Sequence, residues 1–209
     1  MYAIKTPRLS LREISTANDE FILALMNEPA YIHYIGDRGI RTIENARTYI
    51  LDKLAASYVK FGYGLYLVEL KERPKSVGIC GFVKRDSLEH ADIGFALLHE
   101  HWARGVAFEA ASAVLDFGLG ALDLKTVLGV TLPDNQSSIR LLEKLGLKFQ
   151  KMIRLPRNDR ANMLFSTEGG IADHLRDPMS PSVTPPAGVG GAPSVAADHK
   201  DVRHNRLAL

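Results

Sequence analysis

Hydrophobic and polar residues alternate over Arg8-Leu9-Ser10-Leu11-Arg12-Glu13-Ile14, the two-residue period of a half-buried strand that leads a sheet. From Ala17 the period lengthens. Phe21, Ile22, Leu25 and Met26 fall on one side of a helix that Thr16 caps and Pro29 stops. Residues 31–38, Tyr-Ile-His-Tyr-Ile-Gly-Asp-Arg, are aromatic and aperiodic, and read equally as a loop lining a pocket or as plain packing. A second helix, capped by Thr42, is expected over 43–59. Strands follow at 63–70 and 76–84, joined by a turn around Pro74, and at 91–98. A long helix begins after Gly105, a strand occupies 126–131, and a helix from about Asn135 stops at Gly146. Segments 149–153 and 162–165 complete a terminal hairpin. This order predicts an α/β fold: a mixed, mostly antiparallel, twisted sheet flanked by helices.

The patterning stops after Glu168. Gly169-Gly170 opens a stretch rich in Pro, Gly, Ala and Ser that holds half of the chain's ten prolines. Few large apolar residues remain there to offset the entropy of ordering, about 1–2 kcal/mol per residue. Residues 1–168 are therefore expected to form one domain and 169–209 a disordered tail, whose basic end (Lys200, Arg203, Arg206) reads as a solvated segment. With 26 Lys and Arg against 24 Asp and Glu, the net charge of +2 points to no nucleic-acid partner. The single cysteine, Cys80, rules out an internal disulfide framework, has no zinc-type spacing around it and fits a reducing compartment. The first residues lack a signal-peptide pattern, and charged residues interrupt each apolar run before the roughly 20 residues a membrane span needs. A soluble, cytoplasmic protein without membrane contact is expected.

The most informative local feature lies between the strand ending at Leu98 and the next helix: Trp102-Ala103-Arg104-Gly105-Val106-Ala107-Phe108-Glu109-Ala110. A glycine lets backbone amides approach a phosphate, and a helix start adds unpaired N–H donors at a positive dipole end. Arg104 supplies a charge, and Trp102 packs beneath the loop or beside the ligand. The spacing matches neither the nucleotide-triphosphate loop nor the dinucleotide glycine pattern.

Read together with Asn135-Gln136-Ser137-Ser138-Ile139-Arg140-Leu141-Leu142-Glu143-Lys144-Leu145-Gly146, this loop resembles the GNAT superfamily of N-acetyltransferases, in particular the branch of the ribosomal-protein N-terminal acetyltransferases. The resemblance spans about residues 6–168. It implies a splayed central strand pair holding acetyl-CoA, with its pantetheine arm along the backbone of Leu97 and Leu98. The pyrophosphate would meet the amides of Arg104, Gly105, Val106, Ala107 and Phe108. Asn135 matches a residue that hydrogen-bonds the pantetheine, and reads also as a helix cap.

Transfer of an acetyl group to an amine needs a polarised carbonyl, a neutral nucleophile and a stabilised leaving thiolate. Many relatives place a tyrosine before the Glu-Lys pair as the thiolate's acid; Leu142 stands there in this chain. Ser138 matches the serine of the ribosomal branch and is the candidate donor to the sulfur, with helix packing as its other reading. Asp92 is the first candidate general base, with Glu89, His90 and Asp159 in reserve. The neighbours His99 and His101 lack a third metal ligand, so no metal is expected. The expected reaction is direct transfer from acetyl-CoA to a primary amine, on a small molecule or a protein N-terminus, by a monomer or homodimer. The alternative is an acyl-CoA-binding regulatory module that has lost catalysis.

Overall fold

The computed structural model describes residues 3–72, 74–156, 160–168 and 182–184. The alternating N-terminal segment forms β2 (Leu9–Glu13), preceded by the short β1 (Ala3–Lys5). After the helices come β3 (Leu65–Leu70), β4 (Lys75–Val83), β5 (Ala91–Leu97), β6 (Val127–Thr131), the hairpin β7 (Lys148–Arg154) and β8 (Ala161–Ser166), and β9 (Ser182–Thr184). All join one sheet in the order β7-β8-β6-β5-β4-β3-β2-β1-β9. Every neighbouring pair is antiparallel except β5–β6, which is parallel. Parallel neighbours need a long crossover. Helix α5 (Val106–Gly120) supplies it.

Two cores cover the two faces, as the alternation of each strand dictates. On one face Tyr66, Phe82, Ile93 and Phe165 pack with Ala110, Val114 and Phe117 of α5 and with Ile139 and Leu142 of α6 (Gln136–Lys144). On the other, Leu67 and Ile79 meet Ile22 and Leu25 of α1 (Asp19–Met26), Tyr31 of α2 (Pro29–Tyr34) and Ala46 of α3 (Ile43–Tyr49). Each large side chain fully buried here is worth roughly 1.5–3 kcal/mol.

Three local expectations change. The turn Thr16–Asn18 starts from Ser15 rather than Thr16, with Asn18 Oδ1 accepting from Ser15 N at 3.1 Å. Pro29 opens a helix: proline at the first helical position lacks only an N–H that has no intrahelical partner anyway. Residues 31–34 are therefore helical, and the irregular stretch shrinks to 35–42. The second helix is capped as expected, Thr42 Oγ1 accepting from Asn45 N, but widens into a π-helical segment (Ile50–Ala55) before α4 (Ala56–Phe61) ends at Gly62. In the region expected to be a tail, Ser182–Thr184 pairs with β1, Ile4 opposite Val183. Residues 169–181 and 185–209, and with them the rest of that expectation, lie outside the described residues.

Candidate active site

Strands β5 and β6 pair only at Ala91–Val127, Asp92–Leu128 and Ile93–Gly129. Beyond that point β5 stays with β4 through Leu97, while Val130 and Thr131 stay with β8. The two central strands part, leaving a cleft. Leu98 N donates to Val77 O at 3.0 Å, so Leu98 is committed to β4. By alternation, the amide groups of Phe95 and Leu97 turn toward the cleft. Of the two backbone positions named from the sequence, Leu97 turns toward the cleft and Leu98 toward β4, and by strand parity Phe95 turns with Leu97. The Leu97 carbonyl accepts from Trp102 Nε1 at 2.9 Å.

At the cleft's mouth the chain turns through His99–His101 and enters α5. Ala103 and Gly105 both have positive φ, +57° and +74°. Such alternation aims successive N–H groups at one point, a nest suited to an anion. No side chain caps the first amides of α5, so Val106, Ala107 and Phe108 present donors without intrahelical partners. Arg104 is exposed.

What holds this loop came from outside the motif. Arg8 donates through Nη1 to Arg104 O at 3.1 Å and through Nε to Glu109 Oε2 at 2.6 Å. Glu109 also accepts from Arg8 N and Thr6 Oγ1. Burial pushes the Glu109 carboxyl up, but the Thr6 and Arg8 hydrogen bonds outweigh it and keep it below its ordinary value. An ionised acid in the first turn also suits the helix dipole. Residues some 101 positions apart leave no mark in local sequence.

Helix α6 closes the far wall. Asn135 Oδ1 accepts from Ser138 N at 3.1 Å, which is its capping role. Ser138 is half-buried, while Leu142, one turn on, is 1% exposed. A Cβ added at Gly129 would lie 2.6 Å from Leu142 Cδ2, so the bare glycine admits this side chain onto β6. Lys144 Nζ sits 4.1 Å from the Phe108 ring centroid, tying α6 to the start of α5.

On the opposite face, Asp92 is 2% exposed and paired with Arg85 by two bonds, Nε–Oδ1 at 3.0 Å and Nη2–Oδ2 at 3.2 Å. Burial raises its carboxyl and Arg85 partly opposes that. The carboxylate is thus enclosed, with both oxygens held by Arg85. Glu89 is exposed and His90 half-buried; Asp159 lies outside the described residues. His33 and Arg160 both reach Asp134 Oδ2, at 3.2 and 3.0 Å, joining α2, the loop before α6 and the terminal hairpin. His101 is buried, and its Nε2 lies 3.2 Å from Glu100 Oε1 without hydrogen-bond geometry. Among the described residues no three His, Cys, Asp or Glu side chains are grouped to hold a metal, and no helix is long and apolar enough to cross a membrane.

The family model of the acetyltransferase (GNAT) domain matches residues 8–148. The chain belongs to the GNAT acetyltransferase family. It is 31% identical over 152 residues to the Uncharacterized N-acetyltransferase YoaA of Bacillus subtilis, covering 72% of this chain and 85% of that one. Among solved structures it is similar to the acetyltransferase from Agrobacterium tumefaciens (25% identity, TM-score 0.67, 78% of this chain and 92% of the other). Its fold also matches the ribosomal L7/L12 α-N-protein acetyltransferase RimL, solved in complex with coenzyme A (14% identity, TM-score 0.68, 78% and 96%). The enzyme is thus an N-acetyltransferase by family, and the acyl donor of GNAT enzymes is acetyl-CoA. The parted β5–β6 pair and the uncapped start of α5 both lie within the residues that the family model matches.

Proposed function

We propose that the enzyme transfers an acetyl group from acetyl-CoA to a primary amine by direct attack within the β5–β6 cleft. The observation that carries this reading is the parting of β5 and β6 beside an uncapped helix start. The amides of Arg104 to Phe108 take the pyrophosphate, and the Phe95 and Leu97 backbone takes the pantetheine, with Asn135 at the far wall. The amine nitrogen attacks the thioester carbon, the carbon–sulfur bond breaks, and the departing thiolate accepts a hydrogen bond from Ser138 Oγ before taking a proton from solvent. The amine's surplus proton leaves to water. Asp92 acts by fixing Arg85 rather than by touching the amine. The acceptor is a small molecule or a protein N-terminus.

A thiol-release assay with acetyl-CoA against amino acids, peptides, polyamines and aminoglycosides, followed by mass measurement, tests the reading. Free coenzyme A and an acceptor heavier by one acetyl group are expected. Tight acetyl-CoA binding with no acetylated product across the panel would favour the silent acyl-CoA-binding module, for which the inward-turned Leu142 is the supporting observation.

A further inference from the structure

Arg104 and Gly105 share one peptide unit, and a trans peptide points its carbonyl and its N–H in opposite directions. The Arg104 carbonyl is taken by Arg8 Nη1 at 3.1 Å. The Gly105 N–H therefore points away from Arg8, and no hydrogen bond among the described residues occupies it. The Gly105 carbonyl accepts from Glu109 N at 3.0 Å, and the Glu109 carboxylate accepts from Arg8 Nε at 2.6 Å. Arg8 thus grips both the peptide before Gly105 and the helical turn after it, closing a frame around a residue held at φ +74°. A Cβ added at Gly105 would lie 3.3 Å from Arg8 Nη2, so the guanidinium covers the side of the glycine where a side chain would stand.

The frame is itself anchored to the sheet. Arg8 lies just ahead of β2, and both of its main-chain groups are committed: N donates to Glu109 Oε1 at 2.9 Å, and O accepts at 2.9 Å from the N–H of Lys71, just past β3. Thr6 Oγ1 donates to the same carboxylate oxygen and accepts from Leu9 N, while Lys71 Nζ donates to Thr6 O. The Arg8 side chain is 50% exposed, and an ion pair so open to water adds little to global stability. What it sets is direction. A peptide free to rotate spreads its N–H over many orientations, whereas an anion site needs its donors aimed at one point beforehand.

We propose that Arg8 is a positioning residue for the acyl donor: by tying the Arg104 carbonyl to Glu109 it aims the Gly105 N–H at the donor's pyrophosphate, without touching the donor itself. The inference rests on the acetyl-CoA reading of this loop. Two nitrogens of one rigid plane are used, Nη1 for the carbonyl and Nε for the carboxylate, and a lysine ammonium does not supply that fork.

The test is calorimetry of the intact protein with coenzyme A and with pantetheine, which lacks the pyrophosphate. Arg8→Ala is expected to weaken coenzyme A about tenfold and to leave pantetheine within about twofold. Arg8→Lys keeps the charge but not the two-point grip, and should recover less than about half of that loss on a logarithmic scale. In turnover, the loss should fall on KM for acetyl-CoA rather than on kcat. Glu109→Gln loosens the same frame from the helix side and should show the same selectivity, so the prediction holds for a second variant should Arg8→Ala fail to fold. An equal loss for both ligands, unchanged coenzyme A affinity in Arg8→Ala and Glu109→Gln, or full recovery in Arg8→Lys overturns the proposal alone. Native protein that binds the two ligands equally, or neither, overturns the pyrophosphate reading on which the proposal stands.

Discussion

The cleft beside β5 and the Asp92 face of β5 are built by different means. On the cleft side the donors are backbone amides: the nest at Ala103–Gly105, the first turn of α5, and the Phe95 and Leu97 edge. On the opposite face the polar anchor is a pair of side chains, Arg85 from the end of β4 bound to the buried Asp92. An array of backbone donors depends on chain conformation more than on residue identity. A pair made by side chains depends directly on residue identity.

Disturbing the backbone side should have the largest effect. Gly105→Val forces a β-branched residue to φ +74°, with its Cβ 3.3 Å from Arg8 Nη2. The strain, about 1–3 kcal/mol, should weaken acetyl-CoA binding roughly 10- to 100-fold by calorimetry. If it instead alters acceptor preference at constant acetyl-CoA affinity, the division between the two sides is wrong.

Ser138→Ala removes one donor to a charged sulfur and should lower kcat about tenfold, with little change in KM for acetyl-CoA. An unchanged kcat where chemistry limits the rate would assign Ser138 to packing alone. Asn135 separates structure from binding more finely. Asn135→Ala should cost about 1 kcal/mol of stability through the lost cap, and Asn135→Ser should recover most of it. If Asn135 also touches the donor, only stability returns in the serine variant and KM for acetyl-CoA stays raised.

The smallest effect concerns pH on the Asp92 face. Asp92 keeps its proton to higher pH folded than unfolded, so its contribution to stability is full below the ordinary value of 3.8. That contribution is lost as pH rises through the raised folded value. Melting temperatures of the native protein and Asp92→Asn, measured across acidic pH, should differ in slope in that sense: the native protein loses ground to the variant as pH rises. Parallel curves would mean that Arg85 fully offsets the burial.

This division also explains what could be read in the chain beforehand. Gly105 before an apolar helix and Asn135 three residues before Ser138 are local signals, and both elements appear where the periodicity puts them. The mixed, mostly antiparallel sheet and the terminal hairpin follow from alternation and turn residues in the same way, whereas the order of the strands and the one parallel pair come from the fold. Pro29 misled because proline suits a helix's first position as well as the residue after its end. β1 escaped because three residues carry too little period. The Arg8–Glu109 brace was unreadable, since it joins elements brought together only by the fold. The same holds for Asp92: a strand-end acid looks free until its burial and its arginine are known.

Trp102 is the chain's single tryptophan, and its indole N–H rests on the Leu97 carbonyl at the edge of the cleft. The molecule therefore carries its own optical label at the mouth of the cleft. A ligand that takes this carbonyl, or packs against the half-exposed ring, changes the emission of the one fluorophore of its kind in the protein. Entry and departure of the donor can then be followed in real time without attaching a dye.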